Sequence, residues 1–402
     1  MTSRLARLRV LCGLAALVMT PLAAGSPASA VTTGDWTQFR NGAAHLGVNT
    51  AETALSPSTV GGLRQQWVTT VAGSVLSSPA IADGRVYVGA PDGRLHALDA
   101  ATGQQLWAKP ASALSGDWID SSPAVGDGIV YIGINRPASE IWAFDAVTGA
   151  TRWRIGASIS NIVGSPTIAG SVVYAATTED QVLALDAATG ARIWDAKPNG
   201  GNGSGFYSSP TVAGGKVFAA SLNHRVYALD AATGTVLWSF QTGNHNSSTP
   251  AVADGTVYFG SRDGNVYAVD AETGVQRWKV QYGTDILASI QSSPAVADGT
   301  VYVGTNNDRR VIALDAATGA LRWSFRAGGP VLSSPAVANG VVYVGSGGGA
   351  VYGLRATDGK RQWSGHATGA VYSGPVVAQG KVYAATYGDN GGGNVYSFAL
   401  RR

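Results

Sequence analysis

A tryptophan-ended segment of about forty residues recurs along the chain. The first full copy begins at Ser77, reads SSPAIADGRVYVGAPDGRLHALDAATGQQLW and ends at Trp107. Further copies end at Trp153, Trp194, Trp238, Trp278, Trp323 and Trp363. A repeat of this length, built of several short strands, is the sequence signature of a β-propeller. The chain therefore predicts an all-β fold whose blades are arranged in a ring.

Each copy divides into four short antiparallel strands. In the copy that ends at Trp278 we predict strands at Thr249 to Ala253, Thr256 to Gly260, Asn265 to Asp270 and Val275 to Val280. Asp-Gly and Asn-Gly dipeptides between strands supply the positive φ angles that tight hairpins need. The strands are apolar on both faces, which fits a sheet that packs between two neighbouring sheets.

The two ends of the repeat array are incomplete in complementary ways. Pro375 to Leu400 supplies three strands without a final Trp, and Leu63 to Thr70 supplies a fourth strand with Trp67. We therefore predict eight blades, with the ring closed by an N-terminal strand. Closure of this kind removes an exposed sheet edge, whereas the alternative of seven blades and a loose strand leaves two unpaired edges.

The first thirty residues have the pattern of a Sec-type signal peptide. Arg4, Arg7 and Arg9 precede the apolar run Val10 to Leu22, and Ala28 to Ala30 offers small residues for cleavage. An anchored helix is the alternative, but the run is shorter than the roughly 20 residues of a membrane span. We predict a signal peptide at 1–30, one propeller domain at 31–402, and a protein that is secreted into the cell envelope or the medium.

Composition excludes several classes of partner and site. Cys12 is the only cysteine and lies in the signal peptide, so the mature domain has no disulfide and no thiolate metal site. The formal charge of +3 includes the three signal-peptide arginines, and no basic stripe follows. We therefore expect no nucleic-acid partner and no membrane insertion. We expect a monomer.

One motif within the repeat resembles that of a known family. It has the form A-x-D-x-x-T-G-x-x-x-W, as in Ala97 to Trp107, and it recurs at Ala184 to Trp194 and Ala313 to Trp323. This resembles the tryptophan-docking motif of the PQQ-like (pyrroloquinoline-quinone-like) propellers. That superfamily includes quinoprotein alcohol dehydrogenases, the propeller lipoprotein of the Bam complex and sensor domains of some bacterial Ser/Thr kinases. The stretch from Asp35 to Gly47 looks like the family's N-terminal lead-in, so the resemblance covers Trp36 to the C-terminus.

The resemblance implies a structural role for one Trp per blade. Each indole is expected to lie across the backbone of the next blade and to bury a large apolar surface. The alternative is an aromatic cage for a ligand, which the placement of one Trp in every blade disfavours. The residues predicted to dock are Trp67, Trp107, Trp153, Trp194, Trp238, Trp278, Trp323 and Trp363.

The copies differ mainly in two connections, from the second strand to the third and from the fourth strand to the first strand of the next copy. In a four-stranded blade both connections emerge on the same face of the ring. From the docking Trp to the Pro of the next Ser-Ser-Pro sequence or its variant, the spacing is 16 positions after Trp107, Trp194 and Trp278, and 12 or 13 elsewhere. Loops on a rigid scaffold usually carry function. The candidate ligand-binding residues are Asp117, Trp118, Asp120, Asn161, Phe206, Tyr207, His245, Asn246, Asp285, Gln291 and Tyr372. The alternative interpretation is solvated loop tips together with ordinary channel packing.

The residues favour a binding protein over an enzyme. No catalytic constellation and no metal site has a diagnostic spacing. The main hypothesis is a secreted, non-catalytic scaffold that recognises a small molecule or a protein at the channel mouth, without a cofactor. The resemblance also leaves open a dehydrogenase that uses PQQ with calcium. That family's dehydrogenases carry a vicinal cysteine pair and a Glu/Asn/Asp calcium set, neither of which maps onto this chain. A third hypothesis, an envelope protein-assembly factor, rests on fold analogy.

Overall fold

Eight four-stranded antiparallel sheets form the described part of the chain in this computed structural model. The structure describes residues 34–110, 118–135, 139–156, 161–198, 204–282, 289–388 and 392–401, so the predicted signal peptide lies outside it. The sheets are the blades of an eight-bladed β-propeller, as the repeat predicts. A single turn of 3₁₀ helix at Val60–Gly62 precedes the first strand. No helix in these ranges is long and apolar enough to cross a membrane.

Blades 1 to 7 each take four consecutive strands, which run from the channel to the outer wall. The strands of blades 1 to 4 are β2 (Ala80–Ala82), β3 (Arg85–Gly89), β4 (Leu95–Asp99), β5 (Gln105–Lys109), β6 (Ala124–Gly126), β7 (Ile129–Ile134), β8 (Glu140–Asp145), β9 (Thr151–Gly156), β10 (Thr167–Ala169), β11 (Val172–Ala176), β12 (Val182–Asp186), β13 (Arg192–Ala196), β14 (Thr211–Ala213), β15 (Lys216–Ala220), β16 (Arg225–Asp230) and β17 (Val236–Gln241). The strands of blades 5 to 7 are β18 (Ala251–Ala253), β19 (Thr256–Gly260), β20 (Asn265–Asp270), β21 (Gln276–Gln281), β22 (Ala295–Ala297), β23 (Thr300–Gly304), β24 (Arg310–Asp315), β25 (Leu321–Arg326), β26 (Ala336–Ala338), β27 (Val341–Ser346), β28 (Ala350–Arg355) and β29 (Arg361–His366).

Blade 8 is built from both ends of the chain. Its strands are β30 (Val376–Ala378), β31 (Lys381–Ala385), β32 (Gly392–Leu400) and, on the outside, β1 (Leu63–Ala72). The β1 and β32 strands pair antiparallel from Leu63 opposite Leu400 to Ala72 opposite Gly392. The predicted closure by an N-terminal strand is therefore confirmed.

Burial explains why the strands of one blade differ in composition. Every residue of β19 is buried, because this strand packs against a blade on either side. In the outer strand β21 most residues are exposed, and Trp278 is the buried one. Asp254 has a φ of 47° in the turn before β19, which is the left-handed conformation that Asp tolerates.

The docking tryptophans link each blade to the next around the whole ring. Each Nε1–H donates to a backbone carbonyl of the following blade over 2.8 to 3.2 Å. The donors are Trp67, Trp107, Trp153, Trp194, Trp238, Trp278, Trp323 and Trp363. A Cβ atom on Gly190 would lie 2.7 Å from the Trp153 ring, so the glycine of the T-G pair lets the indole approach the turn.

A carboxylate closes the turn before each outer strand in blades 1 to 6. Asp315, for example, accepts from the Thr318 N–H at 2.9 Å, from the Thr318 hydroxyl at 2.9 Å and from Arg322 at 2.7 Å. The Arg322 bond, followed by those from Thr318, lowers the pKa of Asp315 to about 2. These aspartates therefore fix turns on the outer wall, away from the channel.

The channel segment, Gly34 to Asn49, runs along the inside of the ring. It hydrogen bonds the middle residue of the innermost strand in every blade. These middle residues are Ile81, Val125, Ile168, Val212, Val252, Val296, Val337 and Val377. An innermost strand would otherwise present unpaired backbone groups to the channel. The segment thus satisfies eight inner edges and forms the floor of the space above it.

Candidate functional site

The site is built on a Ser-Ser-Pro sequence, or a close variant, that opens the innermost strand of each blade. The first serine holds the end of the second strand. In blade 2 the Ser121 hydroxyl donates to Gly133 O at 2.9 Å and accepts from Gly133 N–H at 3.1 Å. In blade 8 Ser373 makes the same pair of bonds with Ala385. This contact fixes the position from which the variable loops leave the blade.

The second serine of the sequence forms a ring of hydrogen bonds between blades. Its backbone N–H donates to the hydroxyl at the same position in the next blade, for example from Ser122 to Ser165 at 2.8 Å. Seven such bonds of 2.8 to 3.0 Å link Ser78, Ser122, Ser165, Ser209, Thr249, Ser293, Ser334 and Gly374. Gly374 has no hydroxyl for the Ser334 N–H, so the ring has one gap. The serine ring holds the eight blades at a common height around the channel.

In seven of the eight blades, the residue before the Ser-Ser-Pro sequence or its variant lines a cavity at the channel mouth. The cavity has a volume of about 170 Å³, and Phe39 of the channel segment lines it. The side chains from this position are Leu76, Asp120, Val163, Tyr207, Ser247, Gln291 and Tyr372. Carboxylate, amide, hydroxyl, aromatic and aliphatic groups therefore share one rim.

Two buried basic side chains lie in the channel segment beneath this mouth. Both terminal nitrogens of Arg40 donate to backbone carbonyls, one to Pro335 and one to Pro294. Burial lowers the pKa of Arg40 to about 9, so the guanidinium still carries its charge at pH 7. Burial, and then the charge of Arg40, lowers the pKa of His45 to about 3. The floor of the mouth therefore carries one positive charge next to a neutral imidazole.

Four of the candidates from the sequence meet in the cavity, namely Asp120, Tyr207, Gln291 and Tyr372. Asp120 is half-buried, and its desolvation raises the pKa of the carboxyl, against the lowering effect of a hydrogen bond from Trp118. Tyr207 is 42% exposed at the rim.

The other described candidates hold the loops. Trp118 forms a backbone bridge to Asn135, and Asn161 accepts a backbone bond from Thr178. Phe206 is fully buried and packs against Tyr227. Asn246 is also fully buried, with bonds to Thr242. His245 donates from Nδ1 to Leu222 O. Asp117 and Asp285 lie outside the described residues.

Sequence reasoning missed Phe39, Leu76, Val163 and Ser247 in the lining. Leu76 and Val163 have the same place in the repeat as Asp120 and Tyr207, so alignment of the copies on Ser-Ser-Pro was the signal that could have found them. Phe39 lies outside the repeats and has no counterpart to compare. No spacing in the sequence links His224 to His245, yet the two rings are in contact.

Two larger spaces lie on the outer wall. Grooves of about 670 and 710 Å³ flank β1, and Arg64 and Gln65 line both. Their linings include none of the candidate residues, so we place the candidate site at the mouth. Within the described ranges, no group of three or more His, Cys, Asp or Glu side chains could hold a metal ion.

An eight-bladed ring with inter-blade tryptophans defines a PQQ-like propeller. The chain belongs to the PQQ_2 family, described as "Outer membrane protein assembly factor BamB", which matches residues 60–135, 112–201, 179–307 and 262–401. Two curated relatives carry that same name. One, from Burkholderia pseudomallei, is 27% identical over 142 residues, which are 33% of this chain and 37% of the relative. The other, from Bordetella pertussis, is 31% identical over 142 residues, 32% of this chain and 36% of the relative. The matched part thus spans little more than a third of these relatives.

Solved structures share the fold at low sequence identity. A europium-containing methanol dehydrogenase superposes with a TM-score of 0.78 at 16% identity, covering 92% of this chain and 98% of that one. BamB from Moraxella catarrhalis gives a TM-score of 0.67 at 22% identity, covering 84% of this chain and 100% of that one. Both likenesses concern the fold alone.

Proposed function

We propose that this protein is a non-catalytic binding scaffold of the cell envelope, and that it takes a protein partner at its channel mouth. The observation that carries the proposal is the size of the mouth cavity, about 170 Å³. Pockets for drug-sized ligands and cofactors measure about 300–1,000 Å³. A space this small admits one side chain of a partner more readily than a whole cofactor.

The rim of the cavity supports a protein partner. Leu76, Tyr207 and Tyr387 are 41%, 42% and 39% exposed. The Tyr372 and Tyr387 rings lie 6.0 Å apart at the edge of the mouth. Tyrosines carry a large share of binding energy at protein interfaces, because they combine apolar contact with a hydrogen-bonding hydroxyl. The rigid ring supplies these anchors already in position, which reduces the entropic cost of binding.

The family supports envelope protein assembly as the process that this scaffold serves. The family and both curated relatives carry the name of an outer membrane protein assembly factor. The signal peptide that the sequence predicts would deliver the domain to that compartment. We therefore propose an extended segment of a membrane or envelope protein as the partner, with one apolar or aromatic side chain in the cavity and the positive charge of Arg40 below it.

Peptide binding tests this proposal. Fluorescein-labelled peptides from outer-membrane β-strands, each with one aromatic residue, are titrated against the protein and followed by anisotropy. We expect Tyr207→Ala and Tyr372→Ala to weaken binding by about tenfold or more, a loss of about 1.4 kcal/mol. Leu237→Ala is the matched control, because Leu237 is 47% exposed on the outer strand β17. Equal binding by the rim variants and the control contradicts the proposed site.

Cofactor titration tests the quinoprotein alternative. Calorimetry with PQQ and excess Ca²⁺ is expected to show no saturable heat. A calcium-dependent isotherm that Trp118→Ala or Tyr207→Ala abolishes would favour a PQQ-dependent dehydrogenase instead, because the cofactor itself supplies the redox chemistry of that class.

A further inference from the structure

Two histidines from different connections meet beside the channel mouth. His224 lies in the turn between β15 and β16 of blade 4, and His245 lies in the connection from blade 4 to blade 5. Their ring centroids are 4.8 Å apart and their planes cross at 81°. Both residues are half-buried, so the pair is reachable from solvent while its surroundings limit the rotamers available. This pair is independent of the partner cavity described above.

The hydrogen bonds of the pair fix one imidazole in the form that binds a metal. His245 Nδ1 contacts the Leu222 carbonyl, which can only accept, so Nδ1 carries the proton. In the neutral ring the Nε2 lone pair is then free. Histidines that bind metals characteristically donate their other ring N–H to a backbone carbonyl or a carboxylate in this way. Among the described residues, the His224 ring contacts His245 and makes no hydrogen bond.

The spacing of the rings also fits a shared metal ion. Bonds from a metal to imidazole nitrogen are about 2.0–2.1 Å long, which puts the centroids of two imidazoles on a tetrahedral ion on the order of 5 Å apart. The observed 4.8 Å is close to this value. No third His, Cys, Asp or Glu joins the pair among the described residues, so water would complete the coordination.

Backbone conformation provides a clean way to remove one ligand. His224 has a φ of 68°, and Gly93, Gly264 and Gly349 have φ values of 72°, 83° and 76° in the turns of other blades. The His224 carbonyl accepts from Thr242 N–H as the Gly264 carbonyl accepts from Tyr282 N–H, so the turns are equivalent. A glycine therefore suits this position at least as well as histidine.

We propose that His224 and His245 form a binding site for a divalent transition-metal ion on the mouth face of the propeller. Imidazole ligands suit Cu²⁺, Ni²⁺ and Zn²⁺, whereas Ca²⁺ and Mg²⁺ require oxygen ligands. Affinity follows the order Cu²⁺ above Ni²⁺ and Zn²⁺ for a site of this kind.

Metal titration of the tag-free protein tests the site. Calorimetry with CuCl₂, NiCl₂ and ZnCl₂ is expected to show one equivalent bound, with no saturable heat from CaCl₂. His224→Gly and His245→Gln are each expected to weaken binding at least tenfold. His366→Gln, on the exposed end of β29, is the matched control and is expected to leave the affinity unchanged. Thermal melts without metal are expected to show that His224→Gly folds normally.

The spectrum of the copper complex gives a second readout. Electron paramagnetic resonance of the Cu²⁺ form is expected to show hyperfine structure from two imidazole nitrogens, reduced to one in each variant. No saturable binding of any of the three ions, or equal affinity in both variants and the control, would overturn the proposal and leave the pair as a ring contact.

Discussion

The hydroxyl of Tyr343 shows how a residue's place in the ring decides its partner. The tyrosine at this position in the second strand of most blades donates to a backbone carbonyl of the next blade, as Tyr131 does to Ala187 at 2.9 Å. Blade 7 precedes the closing blade, which has no turn between β32 and β1 because these strands come from opposite chain ends. Within the described residues the buried Tyr343 hydroxyl has no hydrogen-bond partner.

Tyr343→Phe is therefore expected to be nearly neutral, whereas Tyr131→Phe is expected to cost about 0.5–1.5 kcal/mol. The two substitutions remove the same atom, and only Tyr131 loses a hydrogen bond. Urea unfolding of the two variants measures the difference. A loss for Tyr343→Phe as large as that for Tyr131→Phe would show that the Tyr343 hydroxyl has a partner after all.

The carboxyl of Asp120 gives a second residue-scale prediction, in the dependence of stability on pH. Desolvation raises its pKa in the folded protein above the ordinary value of 3.8. The folded state therefore holds this proton more tightly than the unfolded state, and the contribution of Asp120 to stability falls as pH rises from about 3.8 through the raised pKa.

Asp120→Asn removes this charge. We expect the variant to melt at a higher temperature than the parent protein at pH 7, and the difference to vanish at pH 3, where both side chains are neutral. Calorimetric melts of both proteins at the two pH values test the sign. A variant that is less stable at pH 7 would indicate that the charged carboxylate is stabilised by groups at the mouth.

The sequence predicted only part of the candidate site, because the ring of blades decides which residues are neighbours at the mouth. Tyr207 and Gln291 belong to different repeats, and the repeat pattern placed both on one face before any distance was known. Phe39 could not be placed, because its neighbours are set by the path of the channel segment. The contact between His224 and His245 was missed because they lie in two different connections.

At the scale of one element, the serine ring has a gap that a substitution can close. The Ser334 N–H faces Gly374, the one position in the ring without a hydroxyl. A Cβ atom at Gly374 would lie 3.2 Å from both Ser334 O and the Ser78 hydroxyl. That approach is tight, but Ser or Thr occupies the equivalent position in the other seven blades.

Gly374→Ser is expected to add about 0.5–1.5 kcal/mol to the free energy of unfolding, the net contribution of one hydrogen bond. Ser293→Gly is the matched reverse change, because it deletes the acceptor for the Thr249 N–H. Chemical denaturation of both variants should show shifts of opposite sign. A destabilised Gly374→Ser would mean that crowding at the Ser334 carbonyl outweighs the new bond.

Two of the four strands predicted for blade 5 have the bounds that the structure shows, whereas the outer strand β21 runs from Gln276 to Gln281 rather than from Val275 to Val280. The predicted bounds of β19 and β20 match the structure, because Asp-Gly turns delimit these strands. The innermost strand of blade 5 begins at Ala251 rather than at Thr249. The Thr249 N–H donates to Ser293 of the next blade instead of to a strand partner. A contact between blades thus shortened the strand, and the pattern within one repeat could not reveal it.

At the scale of the whole molecule, the N-terminal part of the chain closes the ring in two separate ways. The β1 strand completes blade 8, and the channel segment joins the inner edges of all eight blades. The incomplete end repeats predicted the first contribution. The contribution of the channel segment could not be predicted from the repeats. The segment meets each blade through about one residue, so its sequence has no strand periodicity.

Two truncations separate these contributions. A variant that begins at Val60 keeps β1 and is expected to remain a soluble monomer with a markedly lower melting temperature. It loses the channel segment with the buried Trp36 indole, a group whose removal alone costs about 3–5 kcal/mol.

A variant that begins at Gly73 also lacks β1, which leaves the long strand β32 as an unpaired edge. We expect this second variant to aggregate, as measured by size-exclusion chromatography with light scattering. A monomeric Gly73 variant whose melt matches that of the Val60 variant would show that β1 is dispensable for closure, and would place the whole closing contribution in the channel segment.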